Sequence, residues 1–165
     1  MKKRVKVGNP FAGRLADFAE AVRGKRLDAA VVLEGRAAVK RLMEEIKMKG
    51  KEAPPKEQNM YPGLQVVNEM MARGIEFLPV DIYKSEATTY KIEDGKIRMP
   101  FSALSGVGEN AAIALADARK SGETFVSVDD YAAKSGASSA VIDALRLVGA
   151  FKGMPETRQI SLFDF

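Results

Sequence analysis

The stretch Leu104-Ser105-Gly106-Val107-Gly108-Glu109-Asn110-Ala111-Ala112 places two glycines on either side of one apolar residue, and a run of small residues continues from it to Ala118-Arg119. Because glycine has no Cβ, the two glycines allow a sharp turn in which successive backbone N–H groups face one point. The helix that follows would direct its free N–H groups and the positive end of its dipole toward the same point. The stretch therefore predicts a tight turn, a helix that packs closely through its alanines, and an anion site where the two meet.

This pattern resembles a helix-hairpin-helix element, in which Gly, an apolar residue and Gly precede a helix of small residues that ends in Arg or Lys. The resemblance implies contact with the DNA backbone and not with base edges, so binding would be independent of sequence and sensitive to salt. The candidate DNA-contacting residues are Gly106, Val107, Gly108, Asn110, Ala111, Arg119 and Lys120. The alternatives are a plain tight turn at the glycines and, for Arg119 and Lys120, charges that only complement the helix dipole. Glu109 lies beside the proposed anion and would oppose it.

The end of the chain carries a second motif, Gln159-Ile160-Ser161-Leu162-Phe163. It resembles the bacterial sliding-clamp-binding peptide: Gln, an aliphatic residue, a small polar residue, Leu and Phe. Leu162 and Phe163 would enter an apolar pocket as anchors, and Gln159 would make polar contacts at its rim. We expect residues 154–165 to form an exposed tail, since they show no helical periodicity. The alternative is a terminal strand that folds back onto the core.

Helical periodicity organises the first half of the sequence. An apolar face formed by Phe11, Leu15, Phe18, Ala19 and Val22 predicts a first helix that ends at Gly24. A second helix is predicted from about Asp28 to Lys49, and a third carries Leu64, Val67 and Met70 and ends near Gly74. Between them, residues 51–59 contain a Pro-Pro pair and predict a loop. Residues 1–8 form a basic arm in this interpretation.

The period changes after residue 74. Residues 75–79 predict an extended segment, and alternating residues around Asp94-Gly95 predict a β-hairpin, because both turn positions need a positive φ. Tyr90, Ile92, Ile97 and Met99 would share one face of this hairpin, with Lys91, Lys96 and Arg98 on the other. Later helices are predicted after the first glycine motif, after Ser127 with Asp130 as capping partner, and from Ser138 to Gly149. The predicted fold class is mainly α with a small β-hairpin (α+β): a helical bundle, a helix-hairpin-helix unit and a flexible C-terminal tail.

Composition limits the possible functions. The 165 residues include no cysteine and no histidine, which excludes disulfides, thiolate metal sites, Ser-His-Asp triads and His-based zinc sites. A binding module is therefore favoured over an enzyme. Residues 1–50 hold 13 Lys and Arg against 6 Asp and Glu, which suits either a polyanionic partner or a solvated helix face. With no apolar run near the ~18 residues of a membrane span and no secretory signal, we expect a cytoplasmic protein.

Similarity to the C-terminal region of the PolC-type bacterial DNA polymerase III alpha subunit runs from about Leu27 to Phe163. Four segments carry it: LDAAVVLEGRAAVKRLMEEIKMKGK, LPVDIYKSEATTYKI, PFSALSGVGENAAIALADAR and QISLF. The resemblance divides the chain into an unmatched arm and helix (1–26), a helical region like the end of the fingers (27–74), an extended segment with a β-hairpin (75–100), the helix-hairpin-helix unit (101–153) and the clamp-binding tail (154–165).

In that family the paired aspartates that hold magnesium lie in a palm far upstream. The resemblance therefore implies no catalytic residue, metal ligand or cofactor in this chain, which would be inactive alone. Its expected partners are duplex DNA, the sliding clamp and the rest of the polymerase. The alternative is a stand-alone adaptor that binds the clamp and uses its helices as a protein-interaction surface. A small nuclease or lyase is a weaker third hypothesis, since the adjacent Asp129-Asp130 pair is a poor metal site.

Overall fold

The computed structural model describes residues 12–25, 27–122 and 124–157. The helices in these ranges are α1 (Ala12–Val22), α2 (Ala29–Glu34), α3 (Arg36–Lys49), α4 (Pro55–Ala72), α5 (Glu109–Asp117), α6 (Val128–Ser135) and α7 (Ser139–Leu147). Short strands β1 (Phe77–Leu78), β2 (Lys91–Glu93) and β3 (Lys96–Arg98) form one sheet, and 3₁₀ turns occupy Gly50–Glu52 and Phe101–Ala103. The prediction of a mainly α fold with a small β component is confirmed. No helix in these ranges is long and apolar enough to cross a membrane.

Helix α1 follows its predicted face. Leu15, Ala19 and Val22 are buried, and Gly24 adopts a φ of +76° just after the helix ends. Phe11 and the basic arm lie outside the described residues. Apart from Ala38, the buried apolar residues of the described ranges, from Leu15 to Phe151, form one continuous core.

The prediction of one helix from Asp28 to Lys49 is wrong, because Gly35 divides it. Asp28 caps α2 by accepting hydrogen bonds from the amides of Ala30 (3.1 Å) and Val31 (3.4 Å). Gly35 then takes a φ of +109°, which side-chain-bearing residues rarely adopt, and α3 starts at the next residue. Helical periodicity on both sides of the glycine concealed the break.

The predicted loop at 51–59 is also largely wrong. Helix α4 begins at Pro55, directly after Pro54. Proline fits the first helical position because its missing N–H would have no intrahelical partner there. The Lys49 ammonium lies 2.9 Å from the Glu57 carboxylate and bridges the short connection between α3 and α4. The Pro-Pro pair therefore starts a helix.

The β-hairpin is confirmed, with Asp94 (φ +50°) and Gly95 (φ +78°) in its turn and Ile92 paired with Ile97. Strand β1 pairs in parallel with β3, which makes β3 the central strand. The predicted division into faces is confirmed, since Ile92 lies opposite Ile97 and Lys91 lies opposite Arg98. Burial does not follow the two faces evenly. Ile92 is 42% exposed near the turn, whereas Arg98 is only 8% exposed.

The C-terminal helices pack around an aromatic cluster of Tyr83, Phe125, Tyr131 and Phe151, with ring centroids 4.7–5.8 Å apart. The Tyr131 hydroxyl donates a hydrogen bond to the Leu115 carbonyl (2.9 Å) and ties α6 to α5. Burial raises the pKa of Tyr131, so the hydroxyl stays protonated as a donor.

Helices α6 and α7 begin after Ser127 and Ser138 as predicted, and each starts with a side-chain cap. The Ser127 hydroxyl accepts from the amide of Asp130 (3.0 Å), and the Asp130 carboxylate accepts from that of Val126 (3.0 Å). Ser138 accepts from the amide of Val141 (3.3 Å). Each cap satisfies a backbone donor that the helix leaves open.

The start of the predicted tail is fastened to the fold. Carbonyls of Pro155 and Glu156 accept hydrogen bonds from the amides of Val128 (2.9 Å) and Asp129 (3.0 Å). The side chains of residues 155–157 are exposed, as expected, but their backbone is held against α6. The clamp motif Gln159–Phe163 lies outside the described residues.

Candidate nucleic-acid interface

The glycine motif forms an exposed hairpin on a buried base. Phe101, Ala103, Leu104 and Val107 are at most 3% exposed and hold the hairpin to the core. The Val107 amide donates to the Leu104 carbonyl (3.2 Å), which closes the turn. The outward side consists of residues 105, 106, 108, 109 and 110, all exposed. The element before the hairpin is only the 3₁₀ turn Phe101–Ala103, whereas α5 after it has nine residues.

The two glycines of the hairpin have different roles. Gly106 has a φ of +80°, where a side chain would strain the backbone. Gly108 has a φ of −80° and a ψ of 177°, which any residue adopts. A Cβ built on Gly108 would meet nothing within 4 Å. Neither the backbone nor packing within the described structure therefore requires glycine at position 108. The absence of a side chain there leaves the space before α5 open.

Helix α5 starts at this opening. Gly108 is its N-cap residue and supplies no side-chain hydrogen bond. The Gly108 carbonyl accepts from the Ala112 amide (2.9 Å), so the first turn is regular. The amides of Glu109, Asn110 and Ala111 precede the first i→i−4 bond of the helix and lie at its positive end. Ala112 and Leu115 are buried and seat α5 on the core. The arrangement presents open N–H donors, which is what an oxyanion needs.

Arg119 and Lys120 lie beyond the end of α5 at Asp117. The Arg119 guanidinium donates to the carbonyls of Ser85 (2.5 Å) and Ile82 (3.4 Å) and lies 3.7 Å from the Glu86 carboxylate. Through these contacts Arg119 holds the neighbouring loop that contains Ile82, Ser85 and Glu86. Lys120 is exposed, and its ammonium lies 3.0 Å from the Asp117 carboxylate. DNA contact by these two residues stays a prediction.

A second segment of the chain repeats the pattern of the hairpin, and this repeat was not predicted above. Ser135-Gly136-Ala137-Ser138 repeats the pattern of Ser105-Gly106-Val107-Gly108, and each is followed by a nine-residue helix. Gly136 has a φ of +71°, and Ser138, with φ −72° and ψ 164°, takes the backbone conformation of Gly108. Comparing the sequence with itself would have shown the repeat. The two copies differ at the N-cap residue of the helix. Ser138 caps α7 with its own hydroxyl, whereas Gly108 leaves α5 without a side-chain cap.

Comparison with known families places the hairpin in context. Residues 74–161 match the helix-hairpin-helix motif family, which covers more than half of the chain. This chain belongs to the helix-hairpin-helix family. The match contains the hairpin 104–108, helices α5 to α7 and the internal repeat.

Similar curated proteins include PolC-type DNA polymerase III from several bacteria. The Clostridium perfringens protein is 43% identical over 142 residues, which is 86% of this chain and 10% of that protein. The Lactococcus lactis protein is 38% identical over 159 residues (96% of this chain and 10% of that protein). The Streptococcus sanguinis protein is 40% identical over 161 residues (96% and 11%). The predicted resemblance to this family is confirmed, and the chain spans about a tenth of the length of these relatives.

The comparisons also correct one boundary. The predicted resemblance begins only at about Leu27 and excludes residues 1–26. Matches that cover 96% of this chain must extend into most of that segment. Helix α1 therefore belongs to the region shared with the PolC-type proteins.

Proposed function

We propose that this chain binds duplex DNA without sequence preference, as a non-catalytic part of a replicative polymerase in the bacterial cytoplasm. The observation that carries the proposal is Gly108. This residue leaves the first turn of α5 uncapped and keeps the space before it clear, although the backbone would accept any residue there. An approaching DNA phosphate is a ligand that uses both properties.

The chemistry follows from the geometry of the hairpin. Gly106 turns the chain so that the amides at the start of α5 face outward, and buried Val107 fixes the turn to the core. A phosphate oxygen would accept hydrogen bonds from these amides and gain from the positive end of the α5 dipole. Such contacts read the backbone and carry no base information, so affinity should fall as salt rises.

Replacing Gly108 by Ser tests the proposal. The hydroxyl would cap α5 as Ser138 caps α7, so stability should stay the same or rise by a few tenths of a kcal/mol. DNA affinity should fall by about 10-fold or more, because hydrogen bonds to a charged group contribute roughly 1.5–3 kcal/mol. The measurement is fluorescence anisotropy with duplexes of unrelated sequence at ~50 and ~200 mM salt.

Ala140→Ser is the matched control, since it adds a hydroxyl to an exposed first-turn position of α7. It should bind duplexes like the wild-type chain. The proposal fails if Gly108→Ser binds as tightly as the wild type, or if binding by the wild type does not respond to salt.

The tail suggests a second contact, with a bacterial sliding clamp. Support comes from the order of residues in Gln159–Phe163 and from similarity to replicative polymerases. The backbone hydrogen bonds of residues 155 and 156 to α6 mean that the motif would begin a few residues from a fixed point. A short extended peptide with two apolar anchors is suited to such docking. Binding to purified clamp, with Leu162 and Phe163 both replaced by Ala, is the direct test.

A further inference from the structure

Two cavities adjoin the hairpin, one lined by its first half and one by its second half, and Ser102 lines both. The first, of about 300 Å³, lies between Val107 and Glu109 of the motif and the turn 23–25 that follows α1. The second, of about 370 Å³, lies between residues 104–106 and the first turns of α4. Segments from the N-terminal half of the chain therefore line a cavity with each half of the hairpin.

Each flanking segment brings a lysine to the hairpin. Lys56 of α4 is exposed, and its ammonium donates a hydrogen bond to the Ser105 hydroxyl (2.9 Å). No salt bridge joins Lys56 to a carboxylate within the described ranges. Lys25 is exposed and lines the first cavity, while neighbouring Arg23 lies 3.6 Å from the Glu20 carboxylate. Both lysines lie outside the segment 74–161 that matches the helix-hairpin-helix family.

We infer that Lys25 and Lys56 extend the phosphate contact of the hairpin, so that one DNA backbone meets a lysine, the α5 amides and a second lysine in succession. The inference rests on the proposed function. The hydrogen bond to Ser105 holds the Lys56 ammonium at the edge of the hairpin. If one phosphate binds the α5 amides, the next phosphates of the same strand would lie near this edge. Flexible ammonium groups suit this task, since they bind phosphates as point charges without a fixed orientation.

The salt dependence of DNA affinity tests the inference. A lysine that contacts a phosphate releases about 0.9 counterion, so Lys25→Gln and Lys56→Gln should each reduce the slope of log K against log salt by about 0.9. The double variant should lose about twice as much. Lys47→Gln is the matched control, because Lys47 is an exposed lysine of α3 that lines neither cavity. Its slope should equal that of the wild type. Thermal unfolding of every variant checks the fold.

The outcomes separate three cases. If Lys56 only holds the hairpin in place, Lys56→Gln would lower DNA affinity without changing the slope of log K against log salt. This result would overturn the inference. Slopes of both lysine variants equal to that of Lys47→Gln would also overturn it, while the proposed DNA binding would stand. Absence of duplex binding by the wild-type chain would instead remove the proposed function itself. Lys56→Arg keeps the charge and should retain the wild-type slope.

Discussion

Glu109 has two opposing electrostatic roles. As the first residue of α5 it is exposed at the positive end of the helix dipole, where a carboxylate typically contributes 0.3–1 kcal/mol of stability. It also lines the cavity that contains Lys25, beside the proposed phosphate. A negative charge there attracts the flanking lysine and repels DNA. Helix stability and affinity for DNA therefore make opposite demands on this side chain.

Glu109→Gln should consequently bind duplex DNA more tightly while it unfolds more easily. Removal of a repulsion of about 1 kcal/mol between solvent-exposed charges predicts an affinity gain of roughly 5-fold at low salt, shrinking as salt screens it. The free energy of unfolding should fall by up to about 1 kcal/mol. Anisotropy titrations and urea denaturation measure the two effects. Glu44→Gln, at an exposed position of α3, should change neither, and a Glu109→Gln affinity equal to that of the wild type would contradict the placement of the phosphate.

The residues of the hairpin were predictable as a set, but their individual roles were not. The spacing of Gly106 and Gly108 indicates a tight turn and an anion site, yet it treats both glycines alike. Only the backbone angles show that the turn requires the first glycine, whereas any residue could adopt the conformation of the second. The same holds for Arg119, whose position after a helix suggests a phosphate contact. Its bonds to the carbonyls of Ser85 and Ile82 join segments that are far apart in sequence, and no local pattern contains them.

At the scale of elements, local signals succeeded where structure depends on neighbouring residues. The Asp94-Gly95 turn and the helix starts at Ser127 and Ser138 could be predicted from the sequence, because the interactions that form each of them lie within three or four residues. The parallel pairing of β1 with β3 joins residues that are far apart in the sequence, so local patterns could not predict it. It brings the segment after β1 beside β3, where the Pro79 carbonyl accepts a hydrogen bond from the buried Arg98 side chain.

The buried Arg98 makes an ion pair with Glu93 and also donates to the Pro79 carbonyl (2.9 Å), which links β2, β3 and the segment after β1. The Arg98 hydrogen bond lowers the pKa of Glu93 from its usual value. A carboxylate with a lowered pKa in the folded state stabilises the fold at neutral pH. That contribution is complete above the usual pKa of the carboxyl group and is lost as pH falls through the lowered value.

Glu93→Gln should therefore reduce the free energy of unfolding at pH 7 by about 2–3 kcal/mol, because it leaves a buried guanidinium without its anion. The gap from the wild type should narrow as pH falls below the usual pKa of a glutamate carboxyl and through the lowered pKa of Glu93, where this carboxylate becomes protonated. Urea denaturation across that range measures the gap. Glu76→Gln is the control: Glu76 is 70% exposed and pairs with Lys96 at 3.7 Å, so its loss should cost at most about 1 kcal/mol. A pH-independent gap for Glu93→Gln would show that the ion pair does not carry the effect.

At the scale of the whole molecule, the proposed contacts belong to separate parts of the sequence. The hairpin and its flanking lysines lie on the described fold, and the clamp motif follows the segment that α6 holds by residues 155 and 156. The proposed grip on DNA is weak and independent of sequence. Such a grip becomes effective when a second contact keeps it near the DNA, because rebinding is then intramolecular.

This arrangement predicts that a clamp loaded on DNA raises the apparent affinity of the chain for that DNA by about 100-fold or more over free duplex. Leu162→Ala combined with Phe163→Ala should abolish the gain, since anchor residues commonly contribute ~2 kcal/mol or more each. The double variant should keep the wild-type affinity for free duplex, whereas Gly108→Ser should lose duplex affinity and keep its binding to purified clamp. Surface-bound circular DNA with and without clamp provides the measurement. If the double variant retains the gain, the tail is not the tether; if Gly108→Ser also loses clamp binding, the two contacts are not independent.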